Sequence, residues 1–169
     1  MTGHTRFLTS CAVMLLALLL YRTAAAKDEI AIIVASDAAH PPLNLGILRD
    51  IYLKKIFVDS NGRPFIPVNL PPDNPLRRGL AQALFNKSSR QLQDYWNQRY
   101  FQGVTPPYVL HSQEAVVQFV AKTQGAIGYI AACRLDTRVK QVLAISAPPA
   151  QRRALEKLCA NGRDATGSE

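Results

Sequence analysis

The stretch FIPVNLPPDNPLRRGLAQALFN, residues 65–86, decides the reading of this chain. Phe65, Ile66 and Val68 are strand formers, and Pro67 among them points to a sheet edge or a strand end. Pro71, Pro72 and Asp73 break the strand. Asn74 is a good N-cap and Pro75 suits the first helical position, so a helix starts here. Leu76, Leu80, Ala83 and Leu84 then recur at helical spacing and make one apolar face. Arg77 and Arg78 fall in the first turn of that helix, where the free N–H groups already carry partial positive charge. Two cations there are unfavourable by roughly 0.3–1 kcal/mol each when exposed. Either both point to water with Asp73 offsetting them, or the helix start meets an anion or an acidic partner. The candidate binding residues on this stretch are Asn69, Asp73, Asn74, Arg77 and Arg78.

Working outward, strands and helices alternate on both sides. EIAIIVA (29–35) is a continuous apolar run, short and rich in β-branched residues, which reads as a strand buried on both faces. Asn44 caps a helix expected to run to about Lys55, with Leu45, Leu48, Ile51 and Tyr52 inward. Asp59 to Gly62 is a turn. Ser88 or Ser89 starts a helix to about Phe101, and its aromatic face, Tyr95, Trp96 and Tyr100 with Leu92, reads as core. Gly103 stops it. A short strand at 108–110 follows, then a helix capped by Ser112 and ended by Lys122. AIGYIA (126–131) is a strand in which Gly128 signals close backbone approach. A last strand is expected at 141–145 and a small helix at 151–159. The class is α/β, with one mixed or largely parallel sheet covered by helices.

The ends carry their own signals. Residues 1–26 hold Arg6, an apolar run from Phe7 to Leu20, and Ala24 and Ala26 in A-x-A positions. This is the pattern of a secretory signal peptide, so the domain is expected over 27–148, followed at 149–169 by a terminal helix and tail. Of the 20 basic and 12 acidic residues, Arg6 and Arg22 lie in the signal segment, leaving a net charge of +6 on the remainder. That balance favours anionic partners in general. The basic residues are spread out and no nucleic-acid motif occurs, so nucleic acid is not an expected partner. Beyond the signal segment stand two cysteines, Cys133 and Cys159; export permits a disulfide between them, and two separate thiols are the other reading. No metal-ligand spacing, nucleophile elbow, Walker loop or paired-carboxylate motif is present, so no catalytic residue, metal or cofactor is expected. His40, near Asp37 and Ser36, stands before two prolines and reads as a loop residue.

LRDIYLKKI (48–56), the turn at 59–62, PVNLPPDNPLR (67–77), YWNQRYFQG (95–103) and FVAKTQGAIGYI (119–130) together resemble the phosphate-binding proteins of bacterial ATP-binding-cassette transporters. The short, single-domain members are the most similar, and the resemblance covers 29–131. It implies a single lobe of the type 2 periplasmic-binding-protein fold, a periplasmic location and a non-catalytic role in binding phosphate or another small oxyanion. A membrane transporter or a second copy of the chain is the implied protein partner. Several positions depart from the family pattern. Asn74-Pro75-Leu76 stands where the family has Ser-Gly-Thr, Lys54 stands where it has glycine, and no tryptophan precedes Asp59. The first strand matches the second lobe of the two-lobed proteins, so one chain is expected to hold half a cleft. A one-lobed interaction or accessory protein that has lost solute binding is the competing expectation.

Overall fold

The computed structural model describes residues 28–40 and 42–160. The expected signal peptide at 1–26 and the tail at 161–169 lie outside the described residues.

The elements, in chain order, are β1 (Glu29–Ala35), α1 (Leu45–Tyr52), β2 (Ile66–Asn69), α2 (Pro75–Phe85), α3 (Ser89–Tyr100), β3 (Tyr108–Val109), α4 (Gln113–Lys122), β4 (Ala126–Ala131), β5 (Val139–Ser146) and α5 (Pro149–Ala160). One five-stranded sheet runs in the order β3-β2-β4-β1-β5. β2 is parallel to both β3 and β4, whereas β1 is antiparallel to both β4 and β5. The sheet is therefore mixed, and the strand of continuous apolar residues, β1, lies inside it with its five central residues buried.

Helices cover both faces. A Cβ placed on Gly128 of β4 would come within 2.5 Å of Val116 Cγ1 and 2.9 Å of Val120 Cγ2, so α4 lies against the sheet at a distance only glycine allows. Strand alternation turns the next residue, Tyr129, to the opposite face. There its ring centroid lies 6.1 Å from that of Tyr52 at the end of α1. α2 packs on the same face through Gly79, where an added Cβ would touch Ile30 Cδ1 and Pro148. α5 joins this core through Leu155, which is fully buried.

Several local expectations are corrected or narrowed. Of the two settings expected for Pro67 the structure gives the strand end, not the edge: Pro67 is the second of four residues in an inner strand. Ile66 N–H donates to Gly125 O on the β4 side at 2.9 Å. Alternation then turns the nitrogen of Pro67 to the other side, where β3 begins pairing only at Val68. α1 stops at Tyr52 rather than at Lys55, because Lys54 takes a left-handed conformation, φ +53°. β3 spans two residues instead of three, and Leu45, Ala83 and Tyr100 are exposed rather than part of the core. The other aromatic residues of α3 do turn inward: the Tyr95 hydroxyl donates to Leu53 O at 2.9 Å, and Tyr95 and Trp96 pack edge to face.

Candidate site at the start of the second helix

β2 and β4 are parallel, and their C-terminal ends open beside the start of α2. Crevices at this position in α/β sheets commonly receive ligands. Asn74 caps α2 as the sequence implied, with its side-chain oxygen accepting the Leu76 N–H at 2.9 Å, and Pro75 occupies the first helical position. Pro75 has no N–H and that of Leu76 is taken, so the Arg77 N–H is the first helix-start donor that the cap does not use.

The two arginines part company. Arg77 folds back and donates from Nη1 to Leu70 O at 2.6 Å, half-buried over the end of β2. Burial lowers its pKa from the ordinary guanidinium value, with the nearby Tyr129 phenol acting in the opposite direction. Guanidinium starts so far above neutrality that Arg77 keeps its charge. Among the described residues no carboxylate lies within ion-pair distance of it. Arg78 is exposed and its Nη1 donates to the Asp73 carbonyl. The Asp73 link is thus through its backbone, and its carboxylate stands on the exposed turn.

Sequence reasoning missed Tyr129. Its hydroxyl accepts the Leu70 N–H at 3.0 Å and donates to Asn69 Oδ1 at 3.2 Å. Burial pushes the phenol pKa well up, although the Leu70 N–H and the Arg77 charge pull the other way, so it remains a neutral donor. Tyr52, also raised by burial, donates to Val68 O at 3.1 Å on the same face. The signal was there in AIGYIA, because a tyrosine in a strand buried on both faces has to find a partner for its hydroxyl.

Asn69 and Arg77 line one small cavity with Tyr52, Leu80, Leu92 and Trp96. Its volume is about 20 Å³, close to what one water occupies. An oxyanion at this place would sit at the mouth above Arg77, not inside. The structure thus brings Asn69 and Arg77 together, uses Asn74 as a cap, and leaves Asp73 and Arg78 on the rim.

A second cavity, about 80 Å³, lies at the opposite end of the parallel strands. His40, Leu43, Phe65 and Ile127 line it, and the Asp59–Arg63 ion pair, 2.7 Å, stands at its rim. Among the described residues no three His, Cys, Asp or Glu side chains gather to hold a metal ion, and no helix is long and apolar enough to cross a membrane. Cys133, in the turn after β4, is bonded to Cys159 of α5.

No family model and no curated protein matches the chain. Solved structures do. One, from Clostridium perfringens, is described as a phosphate ABC transporter substrate-binding protein with bound phosphate. It is 15% identical with a TM-score of 0.56, over 80% of this chain and 62% of that one. Another is an ABC-type phosphate transport receptor from Vibrio cholerae, 19% identical with a TM-score of 0.55, over 68% of this chain and 45% of the receptor. The chain thus spans about half to three-fifths of the length of these neighbours. At such identity the likeness is one of fold: a mixed α/β domain of the kind found in these binding proteins.

Proposed function

We propose that this chain is an exported, non-catalytic binding module that takes a small oxyanion, phosphate foremost, at the start of α2. Arg77 and the rim residue Arg78 supply the charge, and Asn69 with the free helix N–H supplies further hydrogen bonds; Asn74 shapes the helix start and Asp73 borders it. The observation that carries this reading is the half-buried Arg77 guanidinium, held by a neutral carbonyl with no carboxylate beside it among the described residues. A desolvated cation of this kind is stabilised by an arriving anion. The neighbours' fold supports the same reading, and a membrane transporter is the partner it implies. The signal-like residues 1–26 and the disulfide fit an oxidising compartment outside the cytoplasm, the periplasm.

A second reading has its own support. Pro75 removes one donor, Asn74 consumes another, and the cavity beside Arg77 admits only about one water. These features suit a one-lobed accessory protein that no longer holds solute.

Thermal melts of the purified protein with phosphate, against sulfate and chloride at matched ionic strength, separate the two. Phosphate at ~100 times its dissociation constant adds ~2.7 kcal/mol of stability. The binding reading expects a phosphate shift of that order, lost in Arg78→Ala and in the Arg77→Ala/Arg78→Ala pair while the ligand-free protein still melts cooperatively. No shift beyond the salt controls supports the accessory reading.

A further inference from the structure

β3 forms one edge of the sheet, and among the described residues its outer side has no partner strand. Leu110 N–H donates inward to Asn69 O at 2.8 Å. Alternation therefore turns the N–H and C=O of Val109 outward. The segment that leads into this edge exposes large apolar side chains. Tyr100 is 66% exposed, Phe101 88%, Tyr108 72% and Val109 43%. An open strand edge that itself exposes Tyr108 and Val109 is a template for strand addition.

We infer that this edge is the contact through which two copies of the chain associate, β3 against β3, antiparallel about a two-fold axis at Val109. Three observations favour a second copy as occupant. First, an edge strand that meets itself antiparallel is self-complementary, as a two-fold contact requires, and the Val109 N–H and C=O of each copy would then serve the other. Second, residues 100–113, YFQGVTPPYVLHSQ, hold no Lys, Arg, Asp or Glu in a chain with formal net charge +8. Two such basic molecules can meet here without bringing like charges together, whereas an acidic partner would find nothing on this stretch to pair with. Third, the segment exposes enough area. At ~150–250 Å² for each aromatic side chain, the exposed parts of Tyr100, Phe101 and Tyr108 alone amount to roughly 450 Å² per copy. Were these, Val109 and the flanking backbone all covered, two copies would together bury about the ~1,000 Å² that a specific interface needs. This proposal stands apart from oxyanion binding, since its contact residues, Tyr100, Phe101, Tyr108 and Val109, are not among those of the Arg77 site, which β3 meets only through the Asn69 backbone.

Sedimentation equilibrium of the purified protein from about 1 to several hundred micromolar tests it; these concentrations bracket a modest interface. The expected result is a monomer–dimer equilibrium that tightens with added salt, because salt screens repulsion between basic copies. Phe101→Ser with Tyr108→Ser should raise the dissociation constant at least ~10-fold, a loss of ~1.4 kcal/mol. Val109→Pro removes only the outward donor, at an edge position where proline is tolerated, and should do the same, with an unchanged melting temperature at concentrations where the parent is monomeric. A monomer at every concentration overturns the proposal. So does a dimer whose dissociation constant neither the serine pair nor Val109→Pro changes.

Discussion

Tyr129 and Arg77 are joined through one residue: Leu70 gives its N–H to the Tyr129 phenol at 3.0 Å, and its carbonyl accepts Arg77 Nη1 at 2.6 Å. The strand that follows the α4 crossover thereby fixes the backbone that holds the candidate anion-binding cation. Tyr129→Phe keeps the ring and its packing but orphans the buried Leu70 N–H and frees Asn69. An unsatisfied buried donor costs about 1–3 kcal/mol. Urea unfolding should show a midpoint lowered by that free energy divided by the m-value, with m itself unchanged, since packing and exposed area stay the same. An unchanged midpoint would mean that water replaces the phenol and that the link does not position Arg77.

What the sequence disclosed was the part written in local chemistry. EIAIIVA announced a buried strand, and Asn74-Pro75 announced the helix start to the residue. Gly128 announced the close α4 contact, because an absent side chain is a local signal of a near neighbour. What stayed hidden depends on which strands meet. Nothing in β1 says that it runs antiparallel to both neighbours, and nothing in Pro67 says that β3 starts one residue too late to need its N–H. The site divided along the same line. Arg77 and Arg78 were legible as helix-start cations, but their different fates were not. Arg77 is drawn in by the Leu70 carbonyl, whose place is set by Tyr129, 59 residues away in sequence from Leu70.

The Cys133–Cys159 bond ties the turn after β4 to the last turn of α5, across a sequence separation of 26 residues. Closing a loop of that length in the unfolded chain corresponds to about 3.5 kcal/mol on the chain-entropy model. Cys133→Ser with Cys159→Ala should lower stability by ~2–4 kcal/mol, within the measured range for such bonds. The loss should appear as earlier exchange of α5 amides, whereas α4 and β1 keep their relative protection. Equal stability of the oxidised and reduced proteins would show that Leu155 anchors α5 without the bond.

Arg138 gathers Glu114 at the start of α4, Nη1 to Oε1 2.7 Å, and Asp136 in the β4–β5 connection, Nη2 to Oδ2 2.6 Å. The Arg138 hydrogen bonds, helped by Gln118, hold the Glu114 carboxyl down to about 2. Asp136 is lowered by the same guanidinium. A carboxylate whose folded pKa is depressed stabilises the fold fully above its unfolded value and loses that contribution as the pH falls through the folded one. For Glu114 the window runs from about 4.5 down to about 2. Arg138→Gln should therefore be less stable than the parent at neutral pH, and the two should converge as the pH drops through that window. All three groups are solvent-exposed, so the gap at neutral pH should be small and should shrink in high salt. A gap that stays constant down to pH ~2 would rule out the ion pairs as its source.

Lys54 takes φ +53° just past the end of α1, and its carbonyl accepts Arg99 Nη2 at 3.5 Å while Tyr95 takes Leu53 O. α3 thus docks onto the unsatisfied carbonyls at the end of α1, and a left-handed residue turns them toward it. A lysine there bears a steric penalty of roughly 1–2 kcal/mol that glycine does not. Glycine loses more freedom on folding, which gives back roughly 0.5–1 kcal/mol. Lys54→Gly should accordingly be neutral to stabilising, by up to about 1.5 kcal/mol. Lys54→Ala keeps the Cβ and the strain and should gain nothing, which separates backbone relief from loss of the charged chain. Chemical denaturation of the two variants side by side gives the answer. If alanine stabilises as much as glycine, the gain comes from removing a cation whose pKa burial already lowers, and the left-handed turn is not the source.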